Sequence, residues 1–187
     1  PTESSLLDML SGRQGSQLAH PAAFPLTTVA PGVACGRLLG GNLAMICAMM
    51  GTAFELDADD IILFIEDVNE PIYRIDHLLT HLRLAGKLAQ VGGVLVGDVA
   101  GVDRVALERL LKQTFAPLGI PVLSGWCSGH CDPNLTLPMG ALVRLDAGEQ
   151  RVVLEPVDDA GQTAQAQPHG GHRGVEHAAA LLLQLHG

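Results

Sequence analysis

The sequence predicts an α/β fold: a mainly parallel sheet flanked by helices, with a C-terminal antiparallel hairpin. Three observations carry this. Short apolar runs rich in β-branched residues fall at 33–39, 61–65, 91–97 and 120–123, each too short for a helix and suited to a strand buried on both faces. Between them lie segments with apolar residues at helical spacing. The resulting rhythm, β-α-β-α-β-α-β, implies right-handed crossovers and parallel neighbours. Finally, 141–145 and 151–154, separated by Asp146-Ala147-Gly148-Glu149-Gln150, read as a hairpin that closes the sheet.

Composition sets the frame. Of 187 residues, 48% are hydrophobic but only 3% aromatic, so the core is built from Leu, Val, Ile and Ala. A net charge of −9, with 11 scattered Lys and Arg, excludes a nucleic-acid partner, whose phosphates need clustered cations. Mean hydropathy is +0.29, yet no apolar run approaches the roughly 20 residues of a membrane span. No secretory signal pattern is visible. Cys35, Cys47, Cys127 and Cys131 are too few and too irregular for a disulfide framework. A reducing, cytoplasmic setting is the expectation.

Taken in order, residues 1–12 read as the end of a helix, capped by Thr2, with Leu6, Leu7 and Leu10 on one face and Gly12 as stop. This is the expected end of an N-terminal domain that is largely missing. Residues 13–31 are polar and Pro-bearing and read as a linker. The α/β domain proper is expected over 32–157. Its first strand turns at Gly40-Gly41-Asn42 into a helix over 43–50; the glycine pair suits close helix–sheet packing, and a nucleotide loop is excluded because G-x-G-x-x-G and the Walker lysine are lacking. After Pro71, Ile72, Ile75, Leu79 and Leu82 keep helical spacing up to Gly86. Asp103 caps a helix with Leu107, Leu110 and Leu111 facing inward. Residues 158–187 read as a flexible tail with a terminal helix through Val175, Ala179, Leu182 and Leu185, and with histidines 169, 172, 177 and 186.

Two places carry chemistry. The strand Ile61-Ile62-Leu63-Phe64-Ile65 ends in Glu66-Asp67, at the sheet edge where α/β proteins bind ligands; a solvated strand end is the plainer alternative. After the last parallel strand comes the glycine-flanked loop Gly125-Trp126-Cys127-Ser128-Gly129-His130-Cys131-Asp132-Pro133-Asn134. A carboxylate beside its histidine would fix the imidazole tautomer for general-base work. Metal ligation is not expected. The acids of residues 55–76 lack EF-hand spacing, His77 and His81 lack a third ligand, and Cys127, His130 and Cys131 lack a fourth. Nucleophilic Cys127 or Cys131 stays open as an alternative, although neither sits at a helix N-terminus that would activate it.

Gly40-Gly41-Asn42-Leu43, the strand ending Glu66-Asp67-Val68, Tyr73-Arg74-Ile75-Asp76 and Gly129-His130-Cys131-Asp132-Pro133-Asn134-Leu135-Thr136-Leu137-Pro138 together resemble the LD-carboxypeptidase family. That family comprises murein tetrapeptide carboxypeptidases and microcin C immunity peptidases. The resemblance runs in order over about residues 2–155. It implies a cytoplasmic serine peptidase of peptidoglycan recycling that releases a terminal D-Ala from muropeptide tetrapeptides, works without a cofactor and forms a homodimer. Glu66 would be the triad acid and His130 the triad base. The nucleophilic serine would come from the N-terminal domain, since no G-x-S-x-G occurs here. Asn42, Asp67, Glu70 and Arg74 become the candidates for substrate contact, with helix capping the alternative for Arg74 and Asp76. Around His130 the sequence departs from the family's pattern at Trp126-Cys127-Ser128 and Cys131, which bears on substrate preference. The alternatives are an immunity-type peptidase or amidase acting on a peptide–nucleotide conjugate, and a non-catalytic fragment that needs its N-terminal partner chain.

Overall fold

The structure, a computed structural model, describes residues 2–156; the expected tail and its terminal helix lie outside the described residues. In chain order the elements are α1 (Thr2–Leu10), β1 (Thr27–Ala30), β2 (Val33–Asn42), α2 (Leu43–Ala48), β3 (Ile62–Val68), α3 (Ile72–Leu84), β4 (Gly93–Ala100), α4 (Arg104–Phe115), β5 (Val122–Ser124), β6 (Leu142–Asp146) and β7 (Arg151–Leu154). Seven strands form the sheet in the order β1-β5-β4-β3-β2-β6-β7. The pairs β2–β3, β3–β4 and β4–β5 are parallel, whereas β1, β6 and β7 join antiparallel. The α/β class and the closing hairpin therefore stand as the sequence predicts.

The parallel strands are laid down one after another in a single direction. Right-handed crossovers repeated that way place every connecting helix on one face. Accordingly Leu43 and Ile46 of α2, Ile75, Leu79 and Leu82 of α3, and Leu111 and Phe115 of α4 share one core with Leu63, Ile65, Val94 and Val96. The other face buries Ile62, Phe64, Leu95 and Leu123 against Val143, Leu145 and Val152 of the hairpin. Alternation along β3 thus feeds two cores, which is why its sequence is apolar at every position from Ile62 to Ile65. Strand β2 makes the curl, pairing with β6 over residues 33–37 and with β3 over residues 38–42.

Two expectations need correction. The glycine pair is no turn: β2 runs through Gly40 and Gly41 to Asn42. A Cβ on Gly40 (φ 137°) would strike the backbone carbonyl of Phe64, so the close approach is strand to strand, not helix to sheet. Nor is 13–31 a bare linker. Residues 27–30 form the edge strand β1, with Thr27 opposite Ser124. Gln17 bridges to Val153, and Leu18, 4% exposed, donates its N–H to Val152 O. The flanking Pro25 and Pro31 that suggested a linker are also the residues an edge strand tolerates.

Candidate active site

The C-terminal ends of the parallel strands gather the candidate residues. In register, Asn42 of β2 lies beside Glu66 of β3. Glu66 is 8% exposed, an unusual place for a carboxylate unless it has a partner. Its partner is His130, in the loop after β5, whose Nδ1 lies 2.8 Å from Glu66 Oε2. An ionised carboxylate only accepts, so Nδ1 carries the proton and Nε2 keeps its lone pair. The His130 side chain is half-exposed, so that lone pair is within reach of a group from outside.

The loop holding His130 is shaped by backbone chemistry. Gly125 (φ 91°) starts the turn; its N–H and that of Trp126 both donate to Val96 O. Leu135 N–H donates to Cys127 O at 2.7 Å, and the Ser128 hydroxyl donates to Leu135 O at 2.9 Å. Ser128 is thereby a buried loop brace and no nucleophile. Gly129 N–H donates to Asn134 Oδ1, and Gly129 (φ 123°) leaves room for Glu66: a Cβ there would stand 2.9 Å from Glu66 Oε2. A bond from Asp98 N–H to Ser128 O ties the loop to β4. Helix α1 closes the far side, its Thr2 and Ser5 hydroxyls accepting from Asn134 N–H and Thr136 N–H. Thr2 is thus engaged by the loop in place of the helix cap expected of it.

The four expected substrate contacts separate. Asp67 is 2% exposed, and its carboxylate accepts from Ala44 N–H (3.0 Å) and Val68 N–H (2.8 Å). It anchors the N-terminus of α2 and does not reach outward, which corrects the substrate contact expected of it. Asn42 caps the same helix through Oδ1, accepting from Met45 N–H, while remaining half-buried beside Glu66. Glu70 is half-buried, and Arg74 is exposed with no ion pair among the described residues; the helix cap considered for Arg74 is absent, since Pro71 caps α3 without a side-chain bond.

Burial speaks against the cysteine readings. Burial pushes the Cys131 thiol up to about 11, with the Asp98 charge adding to it, and its Sγ donates to Pro133 O. Cys127 is raised too, by burial first and Asp98 second. Protonated thiols are poor nucleophiles and poor ligands. No group of three metal-ligating side chains occurs among the described residues, and no helix among them is long and apolar enough to cross a membrane.

Two contributors had gone without a role. His20, in the supposed linker, accepts Cys127 N–H on Nε2 at 3.2 Å and packs its ring against Trp126, tilted by 48°; no local pattern marks it. Asp98 ends an apolar run much as Glu66 does, and that was its only signal.

A profile of the LD-carboxypeptidase C-terminal domain matches residues 35–145. The chain belongs to this family. The probable murein peptide carboxypeptidase of Bacillus subtilis is 39% identical over 137 residues, 70% of this chain and 43% of that protein. The murein tetrapeptide carboxypeptidase of Pseudomonas aeruginosa is 32% identical over 62% of this chain and 39% of its own length. The Microcin C7 self-immunity protein MccF of Escherichia coli is 33% identical over 64% of this chain and 36% of its own length. Among solved structures, muramoyltetrapeptide carboxypeptidase from Oxalobacter formigenes superposes with a TM-score of 0.64 at 24% identity, over 82% of this chain and 55% of that one. That likeness is one of fold. This LD-carboxypeptidase domain spans less than half the length of the curated relatives it matches.

Proposed function

We propose that this chain supplies the acid–base half of a serine-type LD-carboxypeptidase that releases the terminal D-Ala from muropeptide tetrapeptides. The observation that carries the reading is the 2.8 Å contact between His130 Nδ1 and Glu66 Oε2. It matches what a triad demands: an oriented imidazole with its second nitrogen turned over to a nucleophile. The serine comes from a separate, nucleophile-bearing domain, and its Oγ–H proton passes to His130 Nε2 as Oγ attacks the scissile carbonyl. Glu66 stabilises the imidazolium, and backbone amides of that domain hold the oxyanion. His130 then returns the proton to the departing D-Ala nitrogen, and water cleaves the acyl-enzyme by the same steps in reverse. Contact with the peptide's charged end is assigned to Asn42, Glu70 and Arg74.

The exposed Leu6, Leu7 and Leu10 of α1, a helix held against the His130 loop, support a partner domain on that side. A second reading, hydrolysis of a peptide–nucleotide conjugate, rests on the 33% identity with the self-immunity protein. The test is D-Ala release by the complete protein. Glu66→Ala and His130→Ala are each expected to lower kcat/KM about 10³-fold or more. Activity within tenfold of wild type in either variant would overturn the triad assignment; cleavage of a conjugate without D-Ala release would favour the second reading.

A further inference from the structure

Asp98 sits at a break in the β3–β4 ladder. Ile65 pairs with Val96 and Asp67 with Val99, so the single residue Glu66 faces two, Gly97 and Asp98. Such a bulge re-aims a side chain, and bulges are common next to active sites. Gly97 makes this one tight: a Cβ there would strike Ser128 O and the Phe64 ring. Asp98 N–H, turned by the bulge, donates to Ser128 O at 2.9 Å, two residues before His130. The half-buried Asp98 side chain lines a cleft of about 220 Å³ together with Gly125, Trp126, Cys127 and Cys131.

Charge in this cleft is unbalanced. Arg104 also lines it, but its guanidinium already donates to Glu108 Oε1, Thr27 Oγ1 and Pro25 O, and Glu108 answers that charge. The Asp98 carboxylate has neither a hydrogen bond nor an ion pair among the described residues. Burial raises its pKa, the charge of Glu66 adds to the rise, and His130 opposes it. A half-buried carboxylate with no donor, beside the charge of Glu66, gains from an incoming cation that neutralises it.

We propose that Asp98 is a specificity-determining residue whose carboxylate receives the side-chain ammonium of the peptide residue that precedes the released D-Ala. The inference rests on the carboxypeptidase reading above. It makes the cleft between β4 and the His130 loop the pocket for that side chain, with Trp126 and the two thiols as walls and Asp98 as the charged end.

The test compares two tetrapeptides on the complete protein, one with L-Lys before D-Ala and one with its uncharged counterpart L-norleucine. Wild type is expected to prefer the Lys peptide in kcat/KM by about tenfold or more, the scale of a hydrogen bond to a charged group. Asp98→Asn, which keeps the backbone bond to Ser128, should lower the Lys peptide by that factor and leave the norleucine peptide within about twofold. Asp98→Glu should restore part of the preference. No preference in wild type, or an equal loss on both peptides in Asp98→Asn, would overturn the proposal, the latter by making Asp98 a support of His130. Wild type that releases D-Ala from neither peptide overturns the carboxypeptidase reading itself, whereas release without discrimination removes the Asp98 assignment alone.

Discussion

Glu66 and His130, 64 positions apart in sequence, are held 2.8 Å from each other, with Gly129 folded over the carboxylate between them. The acid is rigid because it ends a strand buried on both faces; the base is placed by a loop whose turns are fixed through Val96, Asp98 and Asn134. The loop's own Asn134 sets its turn, but only β4, through Val96 and Asp98, holds that turn over Glu66.

Because the two act as one unit, their losses should not add. The double variant Glu66→Gln/His130→Ala is expected to be no more than about threefold slower than His130→Ala alone, whereas independent groups would multiply. Single-turnover D-Ala release measures this.

Gly129→Ala forces a Cβ to within 2.9 Å of Glu66 Oε2, at a φ of 123° that L side chains avoid. We expect a loss of about 1–3 kcal/mol in denaturant unfolding and a fall in kcat with KM little changed, since the pair is misaligned while the cleft stays.

Asp67→Ala removes the acceptor for Ala44 N–H and Val68 N–H in a buried setting. A stability loss of about 1.5–3 kcal/mol is expected, with KM moved less than about threefold. A raised KM at unchanged stability would return Asp67 to the substrate contacts.

His20 ties stability to pH. Burial holds its pKa below the ordinary 6.5, outweighing the Gly125 carbonyl contact that acts the other way, and the bond from Cys127 N–H requires the neutral ring. The folded state thus binds this proton less readily than the unfolded chain. The contribution is fully present above 6.5 and is lost as pH falls through the lowered folded value. Unfolding midpoints from about pH 7.5 down to about pH 5 should fall, and His20→Gln should flatten that part of the slope.

The amino-acid sequence by itself determined the α/β class, the helices after Asn42, Pro71 and Asp103, the closing hairpin, and Glu66 and His130 as the residues to watch. Those features are written in local periodicity, in caps and in turn residues, which act over a few positions. Edge strand β1 was hidden because its four residues gain strand character only from Ser124 and its neighbours, far along the chain. Gly40 looked like a turn because a glycine needed for the close approach of Phe64 is indistinguishable from one needed for a reversal. Asp67 resembled its neighbour Glu66 until the pleat pointed one carboxylate at α2 and the other at His130. The tertiary structure alone decided which carboxylate was occupied, which was partnered and which, at Asp98, was left unpaired in a cleft. The physical reason is that an acid's role is set by the donors around it, and here the deciding donors arrive from distant elements, Ala44 of α2 for Asp67 and His130 of the loop after β5 for Glu66.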